Sequence, residues 1–396
     1  MLPEPVAGST ASPRDAEHRW LRATLPVLAI LAAANLIGPL LLAHDRGGDF
    51  AMLYESTVRW LDGQPAYVSN QATTNLNHPL VWLLIAPLTT MPVDTAFAVW
   101  SLASLLVFCG TVVSVCRALG PPVTAPEVLV LVLALTGAGF ELGLGQIALV
   151  LAAPFSLAWW YARTSRPVHA GVCLGLLCAM KPFFGLYAVW YMARRDWRAL
   201  TALLASAAVT FATGLEMAGV ANTQRWLLNL GNVTWTWHVF NASVFGVAAR
   251  VFGRQDLAIA ASWTPLAVSS VAAACAGWGG ALAVLGLLVR RLRTADHDRS
   301  FALLGLAALL VSPLGWNYYL PTLFAPVLAS LRQQALPRWS AAVAVIAVCP
   351  YAAIVNRHYG VVGTLLVGQI ACASVLGLLL LVASTNGSRR AGEVRR

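Results

Sequence analysis

The chain has 396 residues, of which 59% are hydrophobic and only 11% charged, with a formal net charge of +10. A soluble domain carries about 25% charged residues, so the composition excludes a sizeable soluble domain. The positive charge does not indicate nucleic acid: every basic residue except Lys181 is arginine, and the arginines cluster just outside apolar runs, the pattern that orients a chain in a membrane.

Apolar runs of about twenty residues, enough to cross a hydrocarbon core of roughly 30 Å, recur along the whole length. The sequence predicts an all-α polytopic membrane protein of about twelve transmembrane or half-membrane helices. Residues 1–22, with Arg14, Arg19 and Arg22, are expected to form a cytoplasmic tail, residues 23–383 one transmembrane domain, and residues 384–396 a basic cytoplasmic tail. A first span over 23–43 leads to an outer segment, GGDFAMLYESTVRWLDGQPAY, residues 47–67. Phe50, Leu53, Tyr54, Trp60 and Leu61 recur near helical spacing there, which predicts a short amphipathic helix lying in the membrane interface. Asp49 stands where an N-cap would, and Gly63 and Pro65 end the helix.

Further spans are expected over 94–116, 125–141 and 146–162. Residues 168–193 are too few for two full crossings, yet arginines flank both ends. The charge rule therefore predicts two short helices entering and leaving on the same side, with Lys181 and Pro182 at the turn. A span over 199–219 precedes a long outer loop, 220–262, and a span over 264–289 follows. The short pair recurs over 300–332 with SPLGWNYYLP at its turn, and spans over 339–355 and 361–383 close the chain. Paired helices interrupted by proline and glycine point to a binding site within a membrane protein.

Each polar constellation admits two readings. Asp49 either caps its helix or serves as a general base held at the membrane surface, and both hold together. Glu55, Arg59 and Asp62 read best as a solvated, salt-bridged face. A lone intramembrane lysine marks function with an anionic partner, and a lipid phosphate suits Lys181; the alternatives are snorkelling or pairing with Glu141 or Glu216. In SPLGWNYYLP, Trp316, Tyr318 and Tyr319 are either interface anchors or, with Asn317, partners of a sugar or phosphate. The outer loop NTQRWLLNLGNVTWTWHVFNASVFG sets tryptophans beside asparagine and histidine, a mixture suited to carbohydrate and equally to an aromatic belt. GLGQIA at 143–148 is a false dinucleotide fingerprint, since it opens a membrane helix with no strand before it. Gly171 and Gly175 have the spacing of close helix packing. The seven cysteines fall in apolar runs without zinc or disulfide spacing, no metal-ligand cluster is evident, and no cofactor is expected.

Taken in order, these segments resemble glycosyltransferase family 87, the polyprenol-phosphate-sugar-dependent membrane transferases of the C-type glycosyltransferase fold. The resemblance covers about residues 45–320 and runs through the first outer segment, NHPLVWLLIAPL, LGLGQIALVL, the region around Lys181-Pro182, HVFNASVFGVAAR and SPLGWNYYLP. It implies mannosyl transfer at the outer face of the plasma membrane from a polyprenyl-phosphate donor to a glycolipid or lipoglycan, among membrane lipids and without nucleic acid. It further implies Asp49 as general base, Gln146 at the opening of the fourth span, Lys181 at the lysine-proline turn, and Asn241, Ser243 and Arg250 in the outer loop.

Two departures stand out. Many members carry a histidine after the tryptophan of the S-P-x-x-W turn, where this chain has Asn317, Tyr318 and Tyr319; Tyr318 takes that place only by position. The aromatic usual before the family's proline pair is replaced by Asn77-His78-Pro79. The expected reaction is an inverting displacement. Lys181, with Arg59 or Arg250, would hold the phosphate, and Tyr54, His78, Gln146, His238, Asn241, Ser243, Trp316, Asn317, Tyr318 and Tyr319 would contact substrate. Arabinofuranosyl transfer by the same fold, or a transporter or lipid flippase with polar residues lining a path to both faces, are the competing readings.

Overall fold

A computed structural model describes residues 23, 26–34, 48–68, 75–120, 125–233, 235–253, 267–332, 336–337, 339–340, 342–343 and 361–384. The two expected tails, apart from Ser384, and most of the span expected over 339–355 lie outside these residues, as does the second half of the first span; residues 26–34 are helical. Every named element is a helix: α1 Gly48–Leu61, α2 Val81–Ile85, α3 Val93–Leu119, α4 Ala125–Leu144, α5 Ala148–Arg163, α6 Pro167–Met180, α7 Leu186–Ala193, α8 Trp197–Gly231, α9 Val244–Phe252, α10 Ser270–Leu292, α11 His297–Val311, α12 Phe324–Leu331 and α13 Val361–Ser384. Among the described residues three helices, α3, α8 and α10, are long and apolar enough to cross a membrane by themselves.

The helix starts follow capping chemistry. Asp196, Ser243, Ser269 and Asp296 precede α8, α9, α10 and α11, and each side chain accepts from a backbone N–H of the first turn. α1 begins at Gly48, so Asp49 lies inside its first turn and not at the N-cap position expected for it. A carboxylate there still faces the positive end of the helix dipole. Phe50, Leu53, Ser56 and Thr57 form the buried face of α1, while Arg59 and Glu55 pair at 2.9 Å on the outer face.

α11 occupies the centre: all its residues from Asp298 to Leu310 are buried, as expected of a helix that is apolar on every side. Its charged start is answered from α5, where Arg163 and the indole Nε1 of Trp159 both donate to Asp298. α6 lies against α8 with almost no space between backbones. A Cβ on Gly171 or Gly175 would stand 2.3 Å from the carbonyl oxygens of Ala199 and Leu203, so the small residues act in packing.

Both predicted broken pairs are present. α6 and α7 are joined by an extended Lys181 (φ −143°, ψ 98°) and a 3-10 turn, Pro182–Gly185. α11 and α12 are joined by residues 312–316 and a 3-10 turn, Asn317–Leu323, whose Pro321 ring lies where a Cβ on Gly137 of α4 would be. The span expected over 199–219 ends at a break in α8 at Gly219, and the segment expected as an outer loop over 220–262 carries helix over 220–231 and α9 over 244–252. Gly219 adopts φ 76° and ψ 163°, a conformation denied to residues with a Cβ, so the chain turns without unwinding on either side.

Candidate active site

Phe50 is the residue that sets α1 against the α4–α5 turn. Gly145, in that turn, has φ +69°, and a Cβ there would stand 2.5 Å from Phe50 Cβ. Phe50 also stacks on Trp100 of α3, at 6.4 Å between ring centres, and Trp100 Nε1 donates to the carbonyls of Gly145 and Gln146 at 3.0 and 3.3 Å. The neighbours of Phe50 and Gly145 are thereby brought together: Gln146 Nε2 donates to Asp49 Oδ2 at 2.6 Å. Glu141 completes the turn, its Oε2 accepting from Ala148 N at 2.9 Å at the start of α5.

Asp49 and Gln146 open onto a cavity of about 250 Å³. Asn77 and Lys181 also line it. Trp235, Trp237, His238, Phe240, Trp316, Tyr318 and Tyr319 supply its aromatic lining, with Met52, Leu76 and Leu144 as the remaining wall. Lys181 Nζ donates to Asn77 Oδ1 at 2.8 Å and lies 5.3 Å from the centre of the Tyr319 ring. Trp316 and Tyr318 stack at 5.8 Å with planes 11° apart. Burial pushes the Asp49 carboxyl above its ordinary range, and the Gln146 hydrogen bond and the nearby Lys181 charge oppose that rise. Burial, reinforced by Arg250, brings the His238 imidazole down to about 4, so it stands neutral at pH 7.

The aromatic wall is held by a buried knot between the loop before α9 and the turn after α11. Asn241 Nδ2 donates to the carbonyls of Thr236 and Pro313 at 2.8 Å each, and its Oδ1 accepts from Ser243 N and Gly315 N at 3.1 Å each. Asn241 and Trp316 form an antiparallel bridge. Arg250 is fully buried and donates from Nη1 to the carbonyls of His238 and Asn241 at 3.0 and 3.1 Å. Ser243 caps α9 by accepting from Gly246 N at 3.0 Å.

The structure thus brings seven of the expected site residues to one cavity: Asp49, Gln146, Lys181, His238, Trp316, Tyr318 and Tyr319. It puts the others elsewhere. Arg59 faces outward with Glu55, the solvated pair that the i, i+4 spacing itself predicts. Arg250, Asn241 and Ser243 are engaged with backbone groups behind the wall. The Tyr54 hydroxyl donates to Met91 O at 2.7 Å, fixing α1 to the turn before α3. His78 packs edge-on against Trp226 and fills the space over Gly214; its Nδ1 accepts from Leu80 N, and burial lowers its pKa to about 4. Asn317 is buried beside the cavity, its backbone N–H donating to Phe240 O at 2.9 Å. The expectations missed Asn77, Trp235, Trp237 and Phe240 as individual positions, although the tryptophan-rich loop and the altered Asn77-His78-Pro79 segment were the signals that contained them. Among the described residues, no three His, Cys, Asp or Glu side chains come together to hold a metal ion.

Apolar helices around a cavity lined by a carboxylate, an ammonium and a set of aromatic rings make up a membrane protein with a polar site. The profile of Glycosyltransferase family 87 matches residues 75–313, more than half of the chain. The chain belongs to glycosyltransferase family 87 and is a membrane glycosyltransferase. The matched stretch includes Lys181 and the tryptophan-rich loop and begins after Asp49. No curated protein and no solved structure matched the chain.

Proposed function

We propose that the protein transfers a mannosyl residue from a polyprenyl-phosphate donor to a glycolipid or lipoglycan acceptor at the outer face of the plasma membrane. Asp49 takes the proton from the acceptor hydroxyl as its oxygen attacks the anomeric carbon. The bond from that carbon to the phosphate oxygen breaks, and the polyprenyl phosphate departs with the electron pair and added negative charge. Lys181 lies at the cavity wall to meet that charge. Attack from the face opposite the leaving group inverts the anomeric centre.

One observation carries this reading: Asp49 and Lys181 line the same cavity, although they are far apart in sequence. Gln146 occupies one oxygen of Asp49 and leaves Oδ1 for an acceptor. The tryptophan wall supports a sugar ligand, because ring faces suit the C–H faces of a pyranose. The arginine clusters at the opposite loop ends support an outward-facing cavity.

Full-length protein in lipid nanodiscs, incubated with radiolabelled polyprenyl-phosphate mannose and candidate glycolipid acceptors, tests the proposal. Transfer of label to an acceptor with inverted anomeric configuration is the expected result. Absence of transfer from this donor, with transfer from a lipid-linked pentose, would replace the sugar and keep the chemistry.

A further inference from the structure

Lys181 is the one lysine in the sequence, and its ammonium is met by an amide oxygen, Asn77 Oδ1, at 2.8 Å. Asn77 is 3% exposed and itself lines the cavity. Its own placement is over-determined. The Asn77 backbone N–H donates to Asn75 Oδ1 at 2.9 Å, and its carbonyl accepts from the Tyr67 hydroxyl at 2.6 Å. Asn75 Nδ2 in turn donates to Ser56 Oγ at 3.0 Å. Ser56 is on the buried face of α1, the helix that carries Asp49. A buried run of polar groups, Ser56–Asn75–Asn77–Lys181, therefore joins the helix of the carboxylate to the break between α6 and α7.

The chemical type of the partner matters. A lysine stem has four rotatable bonds and no intrinsic direction, so an ammonium at a cavity wall needs a fixed acceptor. A carboxylate in that place would fix it and also cancel its charge. An amide oxygen fixes it without adding a further negative charge beside it. Its two remaining N–H donors are free to turn toward phosphate oxygens.

We propose that Asn77 is a positioning residue for the donor phosphate: it holds the Lys181 ammonium at the cavity wall and, through Asn75 and Ser56, keeps it in register with Asp49. This rests on the reading of Lys181 as the phosphate contact.

The test uses the full chain in nanodiscs and a polyprenyl monophosphate without sugar, whose Kd is measured for wild type, Asn77→Leu, Asn77→Asp, Lys181→Met and the double variant Asn77→Leu/Lys181→Met. Asn77→Leu is expected to weaken binding about tenfold, the scale of one charge-assisted hydrogen bond. The double variant should bind no more weakly than Lys181→Met. Asn77→Asp, which retains the acceptor facing Lys181 and whose fold is checked by the same thermal scans, should also weaken phosphate binding by pairing with the ammonium. An Asn77→Leu loss of equal size in the Lys181→Met background overturns the proposal, as does wild-type binding by Asn77→Asp. If Lys181→Met itself binds the phosphate as tightly as wild type, the phosphate reading of Lys181 fails first. If it does not, and both Asn77 variants bind normally, only the positioning role fails. Should Asn77→Leu prove unfolded in thermal scans, Asn77→Asp decides alone.

Discussion

The carboxamide of Gln146 donates to one oxygen of Asp49 at 2.6 Å, across 97 residues of chain. The bond favours the ionised carboxylate and fixes which oxygen stays open to the cavity. It follows from a packing event one residue away on each side, where Phe50 occupies the space above Gly145.

Asp49→Asn should abolish transfer while the protein remains folded and inserted. The amide keeps the shape and the contact to Gln146 but has no basicity, and loss of a general base costs about 10²–10⁴-fold in rate. Initial rates with saturating donor, beside a thermal unfolding curve, check this; wild-type turnover would remove Asp49 from the chemistry.

Gln146→Leu should move the acid limb of the pH–rate profile upward. Burial already raises the Asp49 pKa, and the Gln146 hydrogen bond pulls it down. Removing that bond raises the pKa further, so the base is lost at a higher pH as the medium is acidified. An unshifted limb in kcat/KM against pH would show that Asp49 titration does not govern the rate.

Lys181→Ala should impair use of the donor more than use of the acceptor. The expected pattern is a raised donor KM and a lowered kcat, with the acceptor KM within about twofold, because only the phosphate carries charge for the ammonium to meet. Equal changes in both KM values would argue against the phosphate contact.

Gly145→Ala should destabilise the fold and disable the site together. A Cβ there meets Phe50 at 2.5 Å on a backbone with φ +69°, and a left-handed alanine alone costs on the order of 1–3 kcal/mol. A lowered Tm with little residual activity is expected, and an unchanged Tm would mean that α1 is not seated on this turn.

The two arginines outside the cavity should behave differently from each other. Arg59→Ala removes an exposed i, i+4 pair with Glu55, which is worth about 0.3–0.5 kcal/mol, and should leave transfer unchanged. Arg250→Ala strips buried carbonyls of their donor and should cost on the order of 3 kcal/mol, read as a large drop in Tm. A strong donor-KM effect from Arg59→Ala would return it to the phosphate site.

The chain by itself determined the membrane class, the α1 helix and both broken helix pairs, because these depend on local quantities: apolar run length, 3.6-residue spacing, and proline beside charge. Asp49 and Lys181 stood out as candidates, each being a charge that a greasy chain does not carry without reason, and both line the cavity. The outward pairing of Arg59 with Glu55 was legible from its i, i+4 spacing, whereas the partners of Arg250 were not, since they are loop carbonyls with no spacing rule. Only the tertiary structure decided that Arg250 donates to loop carbonyls, that Asn77 accepts from Lys181, and that His78 fills the gap over Gly214. The Asn77–Lys181 and His78–Gly214 contacts join segments more than a hundred residues apart, and the Arg250 bonds, though only 9 and 12 residues long, depend on the direction of loop carbonyls, so neither kind is set by local spacing.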